Sequence, residues 1–524
     1  MNLCFSSEPP QKILGSQSGR VRPALPLFGN AATRKIEQAA QAELPPHALM
    51  QQAGLSVARL TLALAPHAQT IWLACGPGNN GGDGLEAAMH LRQWGKTPVV
   101  TWLGNPDHAP ADAKSSWQRA TGSGVAFTQT PPEAFDFCID ALLGLGASAL
   151  SMSNQHLTRA IEGRMADWIA TINAGRAPVL AVDVPTGLNA ETGRADTHCV
   201  RADHTLSLVT LKPGLFTADG QDACGEIWLD TLGTVCPDRP YAWLAASPKQ
   251  SERRHASHKG SYGDVAVVGG AMGMTGAALL AAAAALHGGA GRVFVQLLDQ
   301  AAVAVDPAQP ELMFRRIDAL DLAALTVVCG CGGGDSMAEP LANLLANAVH
   351  AVVDADALNA IAADRHLRAL LIARAAKGQQ TVLTPHPLEA ARLLAMTTAQ
   401  IQQNRLQAAA QLASEIGCTV ILKGSGTVIA APGEVPVINP TGNARLATAG
   451  TGDVLAGMVG ARMAALLSKG GAGGSGIASA RAAQAFRAAC DAVYLHGQLA
   501  DQWPGGSTLT ASGLARRSGP DAAG

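Results

Sequence analysis

The first half of the chain alternates short apolar runs with stretches in which apolar positions recur at helical spacing. A helical pattern covers 31–64 and is interrupted at Pro45 and Pro46, because proline cannot continue a helix. The apolar runs that predict strands lie at 70–76, 98–103, 135–140, 178–184, 204–211 and 226–229. A glycine-rich loop at 76–84 leads from the first strand into a predicted helix at 85–94. Short buried strands that alternate with helices are typical of a parallel sheet covered on both faces.

The second half repeats this pattern after a polar stretch that contains Pro240 and Pro248. Its predicted strands lie at 264–268, 292–297, 326–329, 350–353, 380–383, 419–422 and 427–430. The most apolar segment, 275–298, is interrupted by His287, Gly288 and Arg292, so it predicts a buried helix followed by a strand. We expect two α/β domains, at 25–237 and 257–505, with a disordered lead-in at 1–24, a linker at 238–256 and a polar tail at 506–524.

Composition narrows the classes of function. The 38 basic and 40 acidic residues among 524 give a formal net charge of −2, whereas nucleic-acid-binding proteins usually present a basic face. The 10 cysteines are scattered without zinc spacing. The N-terminus lacks the basic and apolar regions of a signal peptide. We therefore expect a soluble, cytoplasmic protein with reduced thiols, no nucleic-acid partner and no membrane partner.

Polar residues collect where the predicted strands of the first half end. The loop GPGNNGGDG (76–84) follows a strand and opens a helix, which is the setting of a nucleotide-binding loop. Asp140 and Asp183 end two further strands, and the carboxyl ends of parallel strands meet at one crevice. Carboxylate and amide oxygens without His or Cys favour a hard cation. The alternative is turn and capping chemistry, for which Asn, Asp and Gly are common.

Four motifs carry a family resemblance in this half. They are LMQQAG (49–54), GPGNNGGDG, DALLGLG (140–146) and VDVPTGL (182–188). In this order and spacing, residues 25–235 resemble the YjeF N-terminal domain, the NAD(P)H-hydrate epimerase, which has a Rossmann-like three-layer sandwich fold. The resemblance implies that Asn80, Asp140 and Thr186 bind K⁺. An epimerase must labilise a stereocentre that carries a hydroxyl, and Asp183 and Asp83 are the candidates for the proton shuttle. The residues that the resemblance places at the substrate are Asn79, Asn80, Gly81, Gly82, Asp83, Gly144, Leu145, Gly146, Ala147, Ser148, Ala149, Leu150 and Asp183.

A glycine-rich segment at 439–457, NPTGNARLATAGTGDVLAG, organises the second half. Gly450 and Gly452 let the backbone approach a ligand closely, and the helix that starts there offers unpaired N–H groups to an anion. Asp453 lies in the first helical turn, where the helix dipole stabilises a carboxylate. Beside a phosphate site, such a carboxylate is placed to take a proton from a substrate hydroxyl. The alternative is a glycine turn with an ordinary N-terminal acid.

Residues 255–500 resemble the YjeF C-terminal domain, the ADP- or ATP-dependent NAD(P)H-hydrate dehydratase with a ribokinase-like fold. The matching motifs are HKGSYGDVAVVGG (258–270), MTGAALLAA (274–282), LTPHPLEAARLL (383–394), LKGSGTVI (422–429) and NPTGNARLATAGTGDVLAGM (439–458). The resemblance implies nucleotide contacts by Lys423, Gly424, Ser425, Gly426, Thr427 and Gly452. It implies substrate contacts by Ala277, Gly332, Gly334, His386 and Asp453. GCGGG (330–334) stands where the family usually has GPGLG.

Together the halves resemble the fused, bifunctional NAD(P)H-hydrate repair family. The resemblance implies epimerisation of NADHX and NADPHX in the first domain. It also implies dehydration of the S form in the second, with Mg²⁺, at the expense of ADP, which gives AMP and phosphate; ATP is the alternative donor. Phosphorylation turns the poor leaving group hydroxide into a good one, with Asp453 as the base. We further expect a homo-oligomer.

Two other functions share some of these features. A ribokinase-like small-molecule kinase fused to a nucleotide-binding domain would also use the GTGD helix start, but it would have no need of GNNGGDG. A non-catalytic nucleotide sensor could bind without its proton-transfer acid. Against it speaks the presence of the whole set Asp83, Asp140, Asp183, Lys423 and Asp453.

Overall fold

The computed structural model describes residues 9–13, 23–145, 161–236, 238–248, 255–299, 304–467 and 477–519. The chain folds into two compact units, one of which contains 26–242 and the other 243–519. Each unit is built on its own sheet. The expected two-domain α/β class is confirmed. Among the described residues, no helix combines the length and the apolar character needed to cross a bilayer.

The first unit is assembled from strands and helices that mostly alternate along the chain. The strands of this part are β1 (Gln11–Lys12), β2 (Leu25–Leu27), β3 (Thr70–Cys75), β4 (Thr97–Trp102), β5 (Ala126–Thr128), β6 (Phe137–Ala141), β7 (Val179–Val182), β8 (His204–Leu208) and β9 (Glu226–Asp230). The helices are α1 (Asn30–Glu43), α2 (Ala48–Leu64), α3 (Asn79–Gln93), α4 (Ala111–Gly122), α5 (Arg164–Ala174) and α6 (Gly220–Ala223).

The sheet of the first unit has the order β1-β9-β8-β7-β6-β3-β4-β5. Its pairs from β9 to β5 are parallel, and β1 is antiparallel to β9. Alternate residues of β3 enter two cores: Ile71 and Leu73 pack on one face of the sheet, and Trp72 and Ala74 on the other. The chain proceeds from β3 to β4 on one side and returns with β6 on the other. A ligand crevice is therefore expected at the carboxyl ends of β3 and β6.

The second unit contains more helices. Its strands are β10 (Ala242–Leu244), β11 (Asp264–Gly269), β12 (Arg292–Leu297), β13 (Met313–Phe314), β14 (Thr326–Cys329), β15 (His350–Val353), β16 (Gln380–Leu383), β17 (Thr419–Leu422), β18 (Val428–Ala430) and β19 (Val437–Ile438). Its helices are α7 (Thr275–His287), α8 (Ala338–Asn347), α9 (Ala355–Ala363), α10 (Arg365–Ala376), α11 (Pro387–Leu394), α12 (Thr398–Gln403), α13 (Arg405–Ile416), α14 (Thr451–Leu467), α15 (Ile477–Asp501) and α16 (Ala511–Arg516).

The strands of the second unit are ordered β13-β12-β11-β14-β15-β16-β17-β18-β19-β10. They are parallel from β13 to β17 and antiparallel at β17-β18 and β18-β19. The alanine-rich helices α7, α14 and α15 share one core over this sheet. Small residues let them approach closely: a Cβ added to Gly457 of α14 would lie 3.0 Å from the Cα of Ala281 in α7.

Several predicted boundaries were wrong, each for a local reason. Helix α3 begins at Asn79, inside the predicted loop, because its glycines pack against the end of β3. The predicted strand 204–211 ends at Leu208, since Val209 adopts φ 65°. Part of the expected linker forms β10, in which Ala242 and Leu244 are buried.

Two terminal expectations also need correction. In the expected lead-in, Gln11–Lys12 forms β1 and pairs with β9; residues 1–8 and 14–22 lie outside the described part. In the expected polar tail, α16 covers Ala511–Arg516, because Leu509 and Leu514 find a place in the core.

Candidate active sites

The first site begins where α3 follows β3. Gly78 precedes the helix in an extended conformation, and Asn79, Asn80 and Gly81 form its first turn, where helix amides have no intrahelical partner. A Cβ on Gly81 would collide with the carbonyl oxygen of Gly76. Only glycine therefore allows the helix to start this close to the strand end, and Asn79 and Asn80 follow in its first turn.

Asp140 and Thr186, two of the three predicted K⁺ ligands, are in direct contact. Thr186 donates its hydroxyl to Asp140 Oδ1 at 2.7 Å and its amide to Oδ2 at 2.8 Å. Both residues are fully buried. Burial raises the pKa of Asp140 to about 6, although the bonds from Thr186 oppose this shift. The pair is a buried cluster of oxygen atoms at the end of β6.

Asn80, the third predicted ligand, reaches the loop that follows Asp140. Its Oδ1 would lie 3.0 Å from a Cβ placed on Gly144, so it faces that residue. Its Nδ2 is buried and has no hydrogen-bond partner among the described residues. Gly144 and Leu145 lie at this loop, and Arg34 donates to the Leu145 carbonyl at 3.3 Å. The predicted substrate residues Gly146, Ala147, Ser148, Ala149 and Leu150 lie outside the described part of the chain.

Asp183 is held by an ion pair that the sequence interpretation missed. Asp183 is non-glycine with φ 68°, and its side chain pairs with the ammonium of Lys212. Lys212 is fully buried and also donates to the Leu208 carbonyl at 2.7 Å and to Ser207 Oγ at 3.2 Å. A lysine within the apolar run TLKPGLF is the sequence signal that could have identified it.

Two further acids surround this ion pair. The pKa of Asp83 is raised well above its usual range by burial and then by the charges of Asp183 and Glu37. The pKa of Glu37, on α1, is raised by burial and by Asp183, while Lys212 and Arg34 lower it. The structure thus brings Asp83 and Asp183 into one electrostatic cluster and adds Glu37, for which the sequence offers no signal beyond a helical acid.

The second site lies at the start of α14. Gly450 has φ 89° and allows the turn into the helix, and Asp453 follows in the first turn. Burial, and after it the charge of Asp354, raises the pKa of Asp453 to about 6. A carboxyl group with this pKa is mostly ionised at neutral pH and can still exchange a proton.

Asp354 is a site residue that the sequence interpretation missed, although it ends a strand as Asp140 and Asp183 do. Its Oδ1 accepts hydrogen bonds from Lys423 Nζ at 2.8 Å and from Thr384 Oγ1 at 2.6 Å. Cys331, Asp354 and Asp453 each offer one ligand atom, and these atoms lie within 4.8 Å of one another. Lys423, predicted to bind the nucleotide, and Asp453, predicted to act as the base, therefore both lie beside Asp354.

The glycines predicted to contact the substrate lie close to the start of α7. A Cβ on Gly332 would lie 2.8 Å from that of Ala277, and one on Gly334 3.0 Å from Cε of Met274. The Gly334 amide donates to Asp356 at 2.8 Å. Ala277, Gly332 and Gly334 therefore meet at the amino end of α7.

Lys423–Thr427 forms a compact turn after β17. Gly424 (φ 137°) packs on the buried Arg405, whose guanidinium donates to the Lys423 carbonyl at 3.1 Å. Gly426 has φ 58°, Ser425 lies between these glycines, and Thr427 donates its hydroxyl to the Gly424 carbonyl at 3.0 Å.

This turn faces the start of α14. Lys423 Nζ would be 3.4 Å from a Cβ on Gly452. The predicted nucleotide residues of the turn and of the helix thus come together around the lysine ammonium.

His386 caps helix α11. Its Nδ1 accepts the amides of Leu388 at 3.1 Å and Glu389 at 3.3 Å, and its Nε2 lies 3.1 Å from Glu389 Oε1. Burial, and then Lys423, lowers the pKa of His386, which favours the neutral ring. Its capping role explains the residue locally, and its contact with substrate stays a prediction.

Known families and proteins resemble both units. Residues 46–214 match the model of the YjeF-related protein N-terminus, and 265–516 match NAD(P)H-hydrate dehydratase. A bifunctional NAD(P)H-hydrate repair enzyme of Coxiella burnetii is 34% identical over 86% of this chain and 92% of its own length. One of Escherichia coli is 33% identical over 86% and 84%. An ADP/ATP-dependent NAD(P)H-hydrate dehydratase of Bacillus subtilis, co-crystallised with ATP/Mg²⁺, is 26% identical with a TM-score of 0.37, over 50% of this chain and 90% of its own.

Proposed function

We propose, for a chain that belongs to the family of bifunctional NAD(P)H-hydrate repair enzymes, that each unit catalyses one of the two repair reactions. The protein is an isomerase and a lyase: it epimerises R- and S-NAD(P)H hydrate and dehydrates the S form to NAD(P)H. The observation that carries this assignment is the presence of one acid cluster with its own glycine-rich helix start in each unit.

In the first unit, the substrate would lie along the start of α3 and the loop after β6, against Asn79–Gly82, Gly144 and Leu145. Epimerisation requires one group that accepts a proton and one that gives it. Asp183, which is paired with Lys212, and Asp83, whose pKa is raised, are the candidates for these two roles.

The K⁺ ion that the family implies fits the residues of the crevice. Asp140 and Thr186 already present adjacent oxygens. Within the described part of the chain the buried Nδ2 of Asn80 has no hydrogen-bond partner, and a half turn of the carboxamide would place its carbonyl oxygen there instead. Oxygen donors without nitrogen or sulfur suit a hard cation. When bound, the cation would neutralise Asp140 and fix the loop that follows it.

In the second unit, the proposal is dehydration through a phosphate ester. Lys423, the turn that follows it and Gly452 would hold the nucleotide phosphates, and Asp453 would take the proton of the substrate hydroxyl as the phosphoryl group arrives. Phosphate then leaves with the C–O bond electrons while the ring loses a proton, which restores the double bond. The donor is ADP, which yields AMP and phosphate, and ATP is the alternative.

Mg²⁺ would neutralise the phosphoryl oxygens in this reaction. The carboxylates of Asp354 and Asp453 fit such a hard ion, and the thiol of Cys331, which stands where the family has proline, does not. The described cysteines are all unpaired, in keeping with the proposed reducing, cytoplasmic location. We also propose that the protein forms a homo-oligomer.

An absorbance assay tests both reactions. A mixture of both NADH hydrate epimers is given to the protein with K⁺, Mg²⁺ and either ADP or ATP, and recovery of reduced nicotinamide is followed. Full recovery is expected, and the faster nucleotide identifies the donor. Recovery that stops when the S epimer is consumed would show that the first unit has no epimerase activity. Accumulation of a phosphorylated product would favour the kinase alternative.

Matched variants separate the two sites. Asp453→Asn should abolish dehydration and leave epimerisation unchanged, whereas Asp183→Asn should do the reverse. If either substitution abolished both activities in a protein that still unfolds cooperatively, the assignment of one reaction to each unit would be wrong.

A further inference from the structure

Lys212 pairs with Asp183 at the centre of the first site, but unlike Asp183 it has no role in the proposed reaction. Burying a charged lysine is unfavourable, and a well-packed apolar residue is often as good for stability. Lys212 is nevertheless fully buried, within the buried run 210–217. The buried charge of Lys212 therefore suggests a functional role in addition to packing.

The geometry leaves the ammonium no freedom. A lysine offers three N–H donors, and Lys212 directs them at the Asp183 carboxylate, the Leu208 carbonyl and the Ser207 hydroxyl. Pro213 follows it and starts a short 3₁₀ turn. The cation is therefore fixed against one oxygen of Asp183.

Asp183 is equally constrained. Its backbone is in the left-handed region, which few non-glycine residues adopt without support from their surroundings. Its amide donates to the Leu206 carbonyl at 2.8 Å, and its Oδ1 accepts the Leu208 amide at 3.3 Å. Every one of these partners belongs to the segment that also carries Lys212.

The neighbouring charges distinguish the two acids of the site. Glu37 and Arg34 face the pair from α1, and Asp83 faces it from α3. Glu86 and Asp112 lie near Asp83 and, like Asp183, favour its neutral form. One carboxylate beside a cation and one carboxyl group among anions are the environments that separate a base from an acid.

We propose that Lys212 is a positioning residue that assigns the acid–base roles of the epimerase site, with Asp183 as the ionised proton acceptor and Asp83 as the neutral proton donor. The proposal rests on the epimerase activity proposed above. Addition of water to an enamine places the hydroxyl on the carbon bonded to nitrogen, because the nitrogen lone pair stabilises positive charge there. Asp183 accepts the hydroxyl proton and Asp83 protonates the ring nitrogen as the C–N bond breaks to an aldehyde. Closure on the other face returns both protons, so atoms and charge balance.

The test is the pH profile of kcat/KM for conversion of the R to the S epimer, with the epimers separated by chromatography. The full-length protein is compared with Lys212→Met, Lys212→Arg and, as a control, Lys35→Met; Lys35 is an exposed lysine that pairs with Asp238. Loss of the cation favours the protonated, inactive carboxyl group. The acidic limb of Lys212→Met should therefore move up by about 1–3 pH units. Lys212→Arg and Lys35→Met should keep the wild-type position of the limb.

A merely structural lysine would give a different result. It would lower the rate of Lys212→Met by the same factor at every pH, or leave it unchanged, and either outcome overturns the proposal. If Lys212→Met does not fold, Lys212→Gln, which keeps hydrogen bonding without charge, should show the same upward shift, and an unshifted limb in that variant refutes the idea. A wild-type protein that dehydrates the S form but does not epimerise would instead refute the proposed function of the unit.

Discussion

The pH dependence of dehydration should be set by Asp453 and should respond to a neighbouring residue. The pKa of Asp453 is raised to about 6, first by burial and then by the charge of Asp354. A base acts only when ionised, so kcat/KM for the S hydrate should be high above this pH. It should fall about tenfold for each pH unit below it.

The variant Asp354→Asn tests whether the charge of Asp354 raises the pKa of Asp453. The substitution removes the negative charge that raises the pKa of Asp453 and leaves the Lys423 ammonium, which lowers it, without its carboxylate. The acidic limb should therefore move to lower pH, even though the maximal rate falls because Lys423 loses the partner that positions it. Asp318→Asn, at an exposed acid paired with Arg316, serves as the control.

The assay is recovery of reduced-nicotinamide absorbance from the S epimer at saturating ADP and Mg²⁺, between about pH 5 and about pH 8. Nucleotide phosphates also titrate near pH 6, but their contribution is the same in every variant, so the difference between profiles reports the enzyme. A limb that stays in place or moves upward in Asp354→Asn would refute the electrostatic coupling of the two acids.

Three further predictions concern other positions. Cys331→Ala should move the acidic limb of dehydration upward by less than about one pH unit, because the thiol hydrogen bond lowers the pKa of Asp453; an unmoved limb would contradict that bond. K⁺ should raise the melting temperature more at about pH 8 than at about pH 5, since burial raises the pKa of Asp140 to about 6 and the carboxylate that would bind the ion is ionised only above this value; equal gains would argue against the site. Gly54→Ala should lower the free energy of unfolding by about 1–3 kcal/mol, because a Cβ would lie 2.9 Å from a backbone nitrogen of α3. Gly122→Ala, with open space around its Cβ, should be near neutral in the same denaturation experiment.

The sequence was sufficient for most strands of the two sheets and for acids that end them, but not for the short strands β1, β2, β5, β10, β13 and β19. Apolar runs define the strands, and an acid at the end of such a run, as at Asp140 and Asp183, lies at the ligand-binding edge of a parallel sheet by topology alone. The same rule would have identified Asp354, which follows β15. It was missed because no motif drew attention to it.

Other parts depend on contacts between distant segments. Glycines have low helix propensity, so 76–84 indicated a loop, yet packing against β3 selects a helix from Asn79. Glu37 joins the first site only because α1 lies over the strand ends. Helix α16 is stabilised by Leu509 and Leu514, which pack in the core of the second unit. No local pattern encodes these three features.

The small residues between α7 and α14 limit which substitutions the second site can accept. Gly457 lies one helical turn beyond Asp453 and packs on the backbone of Ala281, and Gly460 packs on Val328 of the sheet. The position of Asp453, the proposed base, thus depends on how closely α14 packs against its neighbours. Misplacement of a reacting group by about 1 Å can cost about a hundredfold in rate. A larger side chain at Gly457 would push α14 away from α7, so it should lower the melting temperature and the rate of dehydration together.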